Sequence, residues 1–180
     1  MSWRKRLARL VGSEASLAQI ENGVLAPEFS LKALDGKQYS LASLLERGPV
    51  VLAFFKISCP VCQFTFPFLQ RIAERITEQS GSIVGVSQDD ARSTKEFTAE
   101  YGGTFRTLVD SPGYPVSNAY GLTNVPTVFL IAPGGKVKLN FTGFDKAGLE
   151  QIAAELSGHG KATAAPLFRP DEVVPAYKPG

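Results

Sequence analysis

The chain has 180 residues, 44% hydrophobic and 20% charged, which is enough apolar material for one globular domain with a sizeable core. Its 19 basic and 17 acidic side chains leave a net charge of +2, without the basic excess that marks a nucleic-acid partner. Two cysteines and one histidine cannot supply the four ligands of a structural zinc site without carboxylate help, and a Ser-His-Asp triad would have to recruit His159 from a Gly-rich stretch, so both classes are nearly excluded.

Arg4, Lys5, Arg6 and Arg9 put +4 into residues 1–12, leaving −2 for the rest of the chain. Trp3, Leu7, Leu10 and Val11 recur at helical spacing and predict a short basic amphipathic helix in an N-terminal segment, residues 1–24. Such a helix packs on the domain or on a second subunit of a homodimer, and the competing reading is peripheral contact with a membrane surface. No apolar run approaches the length of a transmembrane segment, and residues 1–12 lack the apolar core of a signal peptide, so the expected compartment is the cytoplasm.

Phe29, Leu31 and Ala33, the turn Asp35-Gly36-Lys37, and then Tyr39 and Leu41 predict a hairpin. The run Val50 to Phe55 reads as a central strand buried on both faces. Phe66, Leu69, Ile72, Ala73 and Ile76 follow helical spacing up to Gly81, and Ser82 to Ser87 is a second buried strand, completing a βαβ unit. Helices are predicted from about Ser93 to Tyr101 and near Val116 to Tyr120. Thr127 to Ile131 is a strand joined through Ala132-Pro133-Gly134-Gly135 to an antiparallel partner, Lys136 to Phe141. A last helix opens at Asp145, with Leu149, Ile152, Ala153 and Leu156 on its buried face. The fold class is α/β with a mixed sheet. Residues 25–157 form the domain, and the Pro-rich tail, residues 158–180, carries enough apolar side chains to lie extended against it.

Both cysteines stand where the central strand meets the first long helix, in Lys56-Ile57-Ser58-Cys59-Pro60-Val61-Cys62. Three-residue spacing at a helix start puts two thiols on one face, within reach of a disulfide. Cys59 is expected at the exposed edge and Cys62 one turn inside. Pro60 fits the first helical position, where its missing N–H has no partner to lose. The positive end of the helix favours a thiolate on Cys59, and Cys62 resolves the resulting mixed disulfide, so two electrons pass with no bound cofactor and no metal. Gly102-Gly103 and Gly134-Gly135 are not followed by phosphate-loop sequences and read as a helix stop and a turn.

The segment Ala26-Pro27-Glu28-Phe29, the Asp-Gly-Lys turn, and Phe54-Phe55 ahead of Cys59-Pro60-Val61-Cys62 resemble the thioredoxin-like redoxin group, AhpC/TSA and TlpA-like proteins. Pro67, Val125-Pro126-Thr127 and Pro133-Gly134-Gly135-Lys136 extend the likeness over roughly Leu25 to Ser157. The resemblance implies a thioredoxin-like fold, a central mixed sheet flanked by helices with an N-terminal hairpin extension. It also implies a thiol-disulfide oxidoreductase whose partners are protein or small-molecule disulfides and a thiol reductant. By the same likeness Pro126 is cis and faces the thiols across a substrate groove, with Val125 offering backbone bonds and Pro60 and Val61 lining the groove.

Departures from the group bear on mechanism. Ala53 stands where thioredoxins keep a buried Asp, and Thr65 where TlpA-like proteins often keep a Glu, so neither usual proton acceptor for Cys62 is present. Lys56 reads either as electrostatic help or as a solvated loop cation. The runner-up activity is a peroxiredoxin-type thiol peroxidase acting through Cys62. That group places Thr or Ser at Cys59 and Pro at Phe55, and holds its thiolate with a distant Arg, yet no Arg occurs from Thr107 to Phe168. A non-catalytic interaction module using the two ends of the chain is the third reading.

Overall fold

The computed structural model describes residues 18–77, 79–158 and 166–180, so the basic helix expected within residues 1–12, and His159, lie outside the described residues. Strands β1 (Ser30–Ala33) and β2 (Gln38–Ser40) form the expected hairpin, with Leu31 opposite Tyr39. Leu41 does not continue it but begins a helix, α1 (Leu41–Leu45). Ser40 Oγ accepts the Ser43 N–H and Ser43 Oγ accepts the Ser40 N–H, each at 3.1 Å, and this reciprocal cap turns the chain so that Leu41 and Leu44 are buried.

Next come β3 (Val50–Phe55) and α2 (Pro60–Ala73). The helix ends before Ile76, which still packs half-buried on the core from the following loop, so apolar spacing outran the helix itself. After β4 (Ser82–Ser87), α3 (Ala91–Glu100) starts earlier than expected because Asp90 Oδ1 accepts the Ser93 N–H at 2.9 Å. A strand the sequence did not announce, β5 (Arg106–Val109), precedes α4 (Pro115–Ala119), β6 (Thr127–Ile131) and β7 (Val137–Thr142). The two-residue β8 (Phe144–Asp145) leads into α5 (Lys146–Gly158), where Asp145 Oδ1 caps the Gly148 N–H at 3.0 Å as expected. Last is β9 (Tyr177–Lys178), paired antiparallel with β8.

The main sheet runs β2-β1-β5-β4-β3-β6-β7. Its centre, β5-β4-β3, is parallel, while β6, β7 and the hairpin are antiparallel, which gives the mixed sheet that the sequence implies. The period-two alternation of β3 separates two cores. Val50, Leu52 and Phe54 face one side with Leu41, Leu44, Tyr120 and Phe129, whereas Val51 and Ala53 face the other with Leu69, Ile72, Leu149 and Ile152. Because β3 is central and parallel to β4, it delivers its C-terminal end, and the cysteine motif after it, to the sheet edge where neighbouring strand ends also converge.

Residues 166–180 pack on this body. Leu167 and Phe168 are buried, with the Phe168 ring 4.9 Å from that of Phe68, whereas Val173 is fully exposed. Arg71 Nη1 and Nη2 each donate to a Glu172 oxygen at 2.7 Å. That bidentate bond, more than any other contact, pulls the Glu172 carboxyl down to about 2 from an ordinary 4.5. A carboxyl lowered in the folded state contributes stability that is complete above its unfolded value and lost as pH falls through the folded one. In urea denaturation, Glu172→Gln should therefore cost about 1 kcal/mol at pH 7, the partial exposure of the pair keeping the figure small. The difference from wild type should shrink steadily between pH 4.5 and about 2. A gap that does not change with pH would refute the assignment.

Candidate active site

Cys59 is the N-cap of α2, in extended backbone conformation, and its sulfur accepts the Cys62 N–H at 3.3 Å. Pro60 occupies the first helical position, as expected, and the first turn contains no acidic side chain. The strand-to-helix turn is closed by the Cys59 N–H donating to the Lys56 carbonyl at 3.1 Å. It is held from both sides at Ile57, whose carbonyl accepts Gln63 Nε2 at 2.9 Å and whose N–H donates to Asp89 Oδ2 at 2.7 Å.

The two sulfurs live in different surroundings. Cys59 is half-buried and its thiol donates to the Val125 carbonyl at 3.4 Å. Cys62 is 1% exposed, packed with Phe55, Phe66 and Phe97, whose ring centroids lie 5.0–5.4 Å apart. Burial among these rings pushes the Cys62 thiol far above the ordinary cysteine range. The Lys56 backbone amide opposes this, while the neighbouring Cys59 and the Asp89 carboxylate add to it. Cys62 is therefore a protonated thiol at neutral pH.

Of the residues singled out from the sequence, Cys59, Cys62, Val125 and Pro126 come together. The Val125–Pro126 bond is cis, Pro126 is buried, and Val125 packs half-buried against the ring cluster around Cys62. Pro60 is exposed and Val61 half-buried beside the sulfurs. The Lys56 side chain is exposed, which is the solvated-cation alternative; its contribution to Cys62 comes through the backbone. Ala53 and Thr65 are buried, and Thr65 Oγ1 spends its hydrogen on the Val61 carbonyl at 2.7 Å. The carboxylate that does reach the motif is Asp89, which no sequence motif marks. The clue was its position directly after a buried parallel strand, where strand ends gather at the site. Arg106, the last arginine before the Arg-free stretch, lies 4.0 Å over the Tyr39 ring. Among the described residues no group of three or more His, Cys, Asp or Glu side chains is placed to hold a metal ion.

Residues 23–140 match the AhpC/TSA family, about two thirds of the chain. The chain belongs to the AhpC/TSA family. It is 32% identical over 130 residues to the thiol-disulfide oxidoreductase ResA of Bacillus subtilis (strain 168), covering 72% of each protein. A crystal structure from Chlorobium tepidum, assigned as a thiol:disulfide interchange protein DsbE, superposes with a TM-score of 0.68 at 26% identity, covering 78% of this chain and 99% of that one. The peroxidoxin BcpB of Mycobacterium tuberculosis superposes with a TM-score of 0.67 at 24% identity over 78% and 98%, a likeness of fold. Within the family this chain is a thioredoxin-fold thiol-disulfide oxidoreductase with its Cys-X-X-Cys pair at residues 59 and 62.

Proposed function

We propose that Cys59 attacks and Cys62 resolves. The Cys59 thiolate forms a bond to one sulfur of a substrate disulfide, whose S–S bond breaks and whose second sulfur leaves and takes up a proton. Cys62 then loses its proton and attacks Cys59 Sγ, releasing the second substrate thiol and leaving a Cys59–Cys62 disulfide. Two electrons have moved from the dithiol to the substrate, and a thiol reductant restores the pair.

The observation that carries this order is the contrast between the sulfurs: Cys59 is half-buried on the Val125 carbonyl and Cys62 sealed beneath it. The proposal includes a reducing role in the cytoplasm. Both cysteines of the chain sit in the motif, so none is invested in a structural disulfide. A couple nearer about −270 mV than about −120 mV is then expected.

The test is stopped-flow mixing of the reduced protein with a disulfide and, separately, with hydrogen peroxide. Exchange needs no group to stabilise a departing oxygen, so the disulfide should react far faster and the reaction should vanish in Cys59→Ser. Rapid peroxide consumption that survives in Cys59→Ser would transfer the chemistry to Cys62 and install the peroxidase reading.

A further inference from the structure

We propose that residues 176–180 are a strap across the substrate groove that selects against protein disulfides in favour of small ones; the inference rests on the Cys59 chemistry proposed above. The Val125 carbonyl that accepts the Cys59 thiol is also the contact surface of the strap. A Cβ placed on Gly180 would lie 2.7 Å from that carbonyl oxygen, so the strap's main chain is packed directly against it, and Asn124 Nδ2 donates to the Gly180 carbonyl at 3.2 Å. At the next residue, the Gly143 N–H donates to the Pro126 carbonyl at 2.7 Å, and a Cβ on Gly180 would also lie 3.4 Å from the Gly143 Cα. Gly143 has φ +81°, and a Cβ there would meet the Lys178 carbonyl at 2.3 Å, so only glycine lets the strap settle here.

The strap also reaches α2, the helix that carries both sulfurs. Lys178 Nζ sits 4.5 Å over the ring of Phe64, one helical turn beyond Val61 on α2. A peptide flanking a protein disulfide has to lie extended along Val125, in the volume that Gly180 and its neighbours fill. A small disulfide needs only the half-exposed Cys59 sulfur.

The strap is lightly held. Beyond the Asn124–Gly180 bond, it has two paired residues, Lys178 opposite Phe144 and Tyr177 opposite Asp145, and a bond from the Lys146 N–H to the Ala176 carbonyl at 3.0 Å. Segments with so few bonds open far below the free energy of global unfolding. While closed, the tether keeps the strap at a high effective concentration against any incoming peptide.

Lys178→Pro in the full chain removes a backbone N–H from β9 and the ammonium over Phe64. Rates are measured with insulin and with bis(2-hydroxyethyl) disulfide, while exchange of the Lys146 amide reports strap opening. The expected result is faster amide exchange and a rise of about tenfold in the insulin-to-small-disulfide rate ratio. Gly180→Ala, which forces a methyl against the Val125 carbonyl, should raise the same ratio, and the fully exposed Val173→Ala should not. An opened strap with an unchanged or lower ratio overturns the proposal, as does failure of both variants to speed amide exchange. If the unaltered chain reacts with neither disulfide through Cys59, it is the exchange chemistry that fails. If it reacts with the small one, the ratio judges the strap alone.

Discussion

Cys59→Ser is expected to lower disulfide exchange by at least about 10³-fold, because the other cysteine, Cys62, is buried. Cys62→Ser should behave differently. Its Cys59 still attacks, but nothing beneath it can displace the product, so a mixed disulfide on Cys59 accumulates and appears in mass spectrometry as the protein plus one substrate half. Limiting alkylating reagent should mark Cys59 first in the wild type, since Cys62 is enclosed by Phe55, Phe66 and Phe97 and burial keeps it protonated. Because the Cys62 thiol is held far above the ordinary range, resolution should accelerate as pH rises through neutrality, the reacting form being the thiolate. Labelling that favours Cys62 would reverse the two roles.

Tyr120→Ala should be the most destabilising single truncation on the side of the sheet away from α2. The ring is fully buried, with centroids 5.3 Å from both Phe54 and Phe129 and 6.4 Å from Phe29, and its hydroxyl donates to the Pro27 carbonyl at 2.9 Å. Burial raises the phenol well above its ordinary range, so it is a permanent donor. Emptying this site should cost about 3–5 kcal/mol and lower Tm by roughly 10 °C. Tyr120→Phe, which only orphans the Pro27 carbonyl, should cost about 1 kcal/mol. Equal losses in the two variants would mean that the hydroxyl, not the ring, holds the N-terminal approach to the sheet.

What could be read before folding was whatever a short window of chain encodes. Val50 to Phe55 announces a strand buried on both faces because all six side chains are apolar, and all six are buried. Cys59-Pro60-Val61-Cys62 carries its helix start and its chemistry within four residues, and Asp145 caps α5 through a bond only three residues long. Strand β5 has no such local mark. Arg106 to Val109 become a strand because β4 pairs with them on one side and β1 on the other, a choice made by residues far away in sequence. Leu41 went to a helix instead of the hairpin on the strength of a two-serine cap that an alternating apolar pattern does not reveal. At the site the same division holds. The sulfurs and the Val125–Pro126 wall were legible as motifs, whereas Asp89 reaches Ile57 across 32 positions and residues 176–180 return to Val125 and Gly143 from the far end of the chain. Contacts of that span depend on closing long loops around a formed sheet, and their energies belong to the packed body rather than to any stretch of sequence.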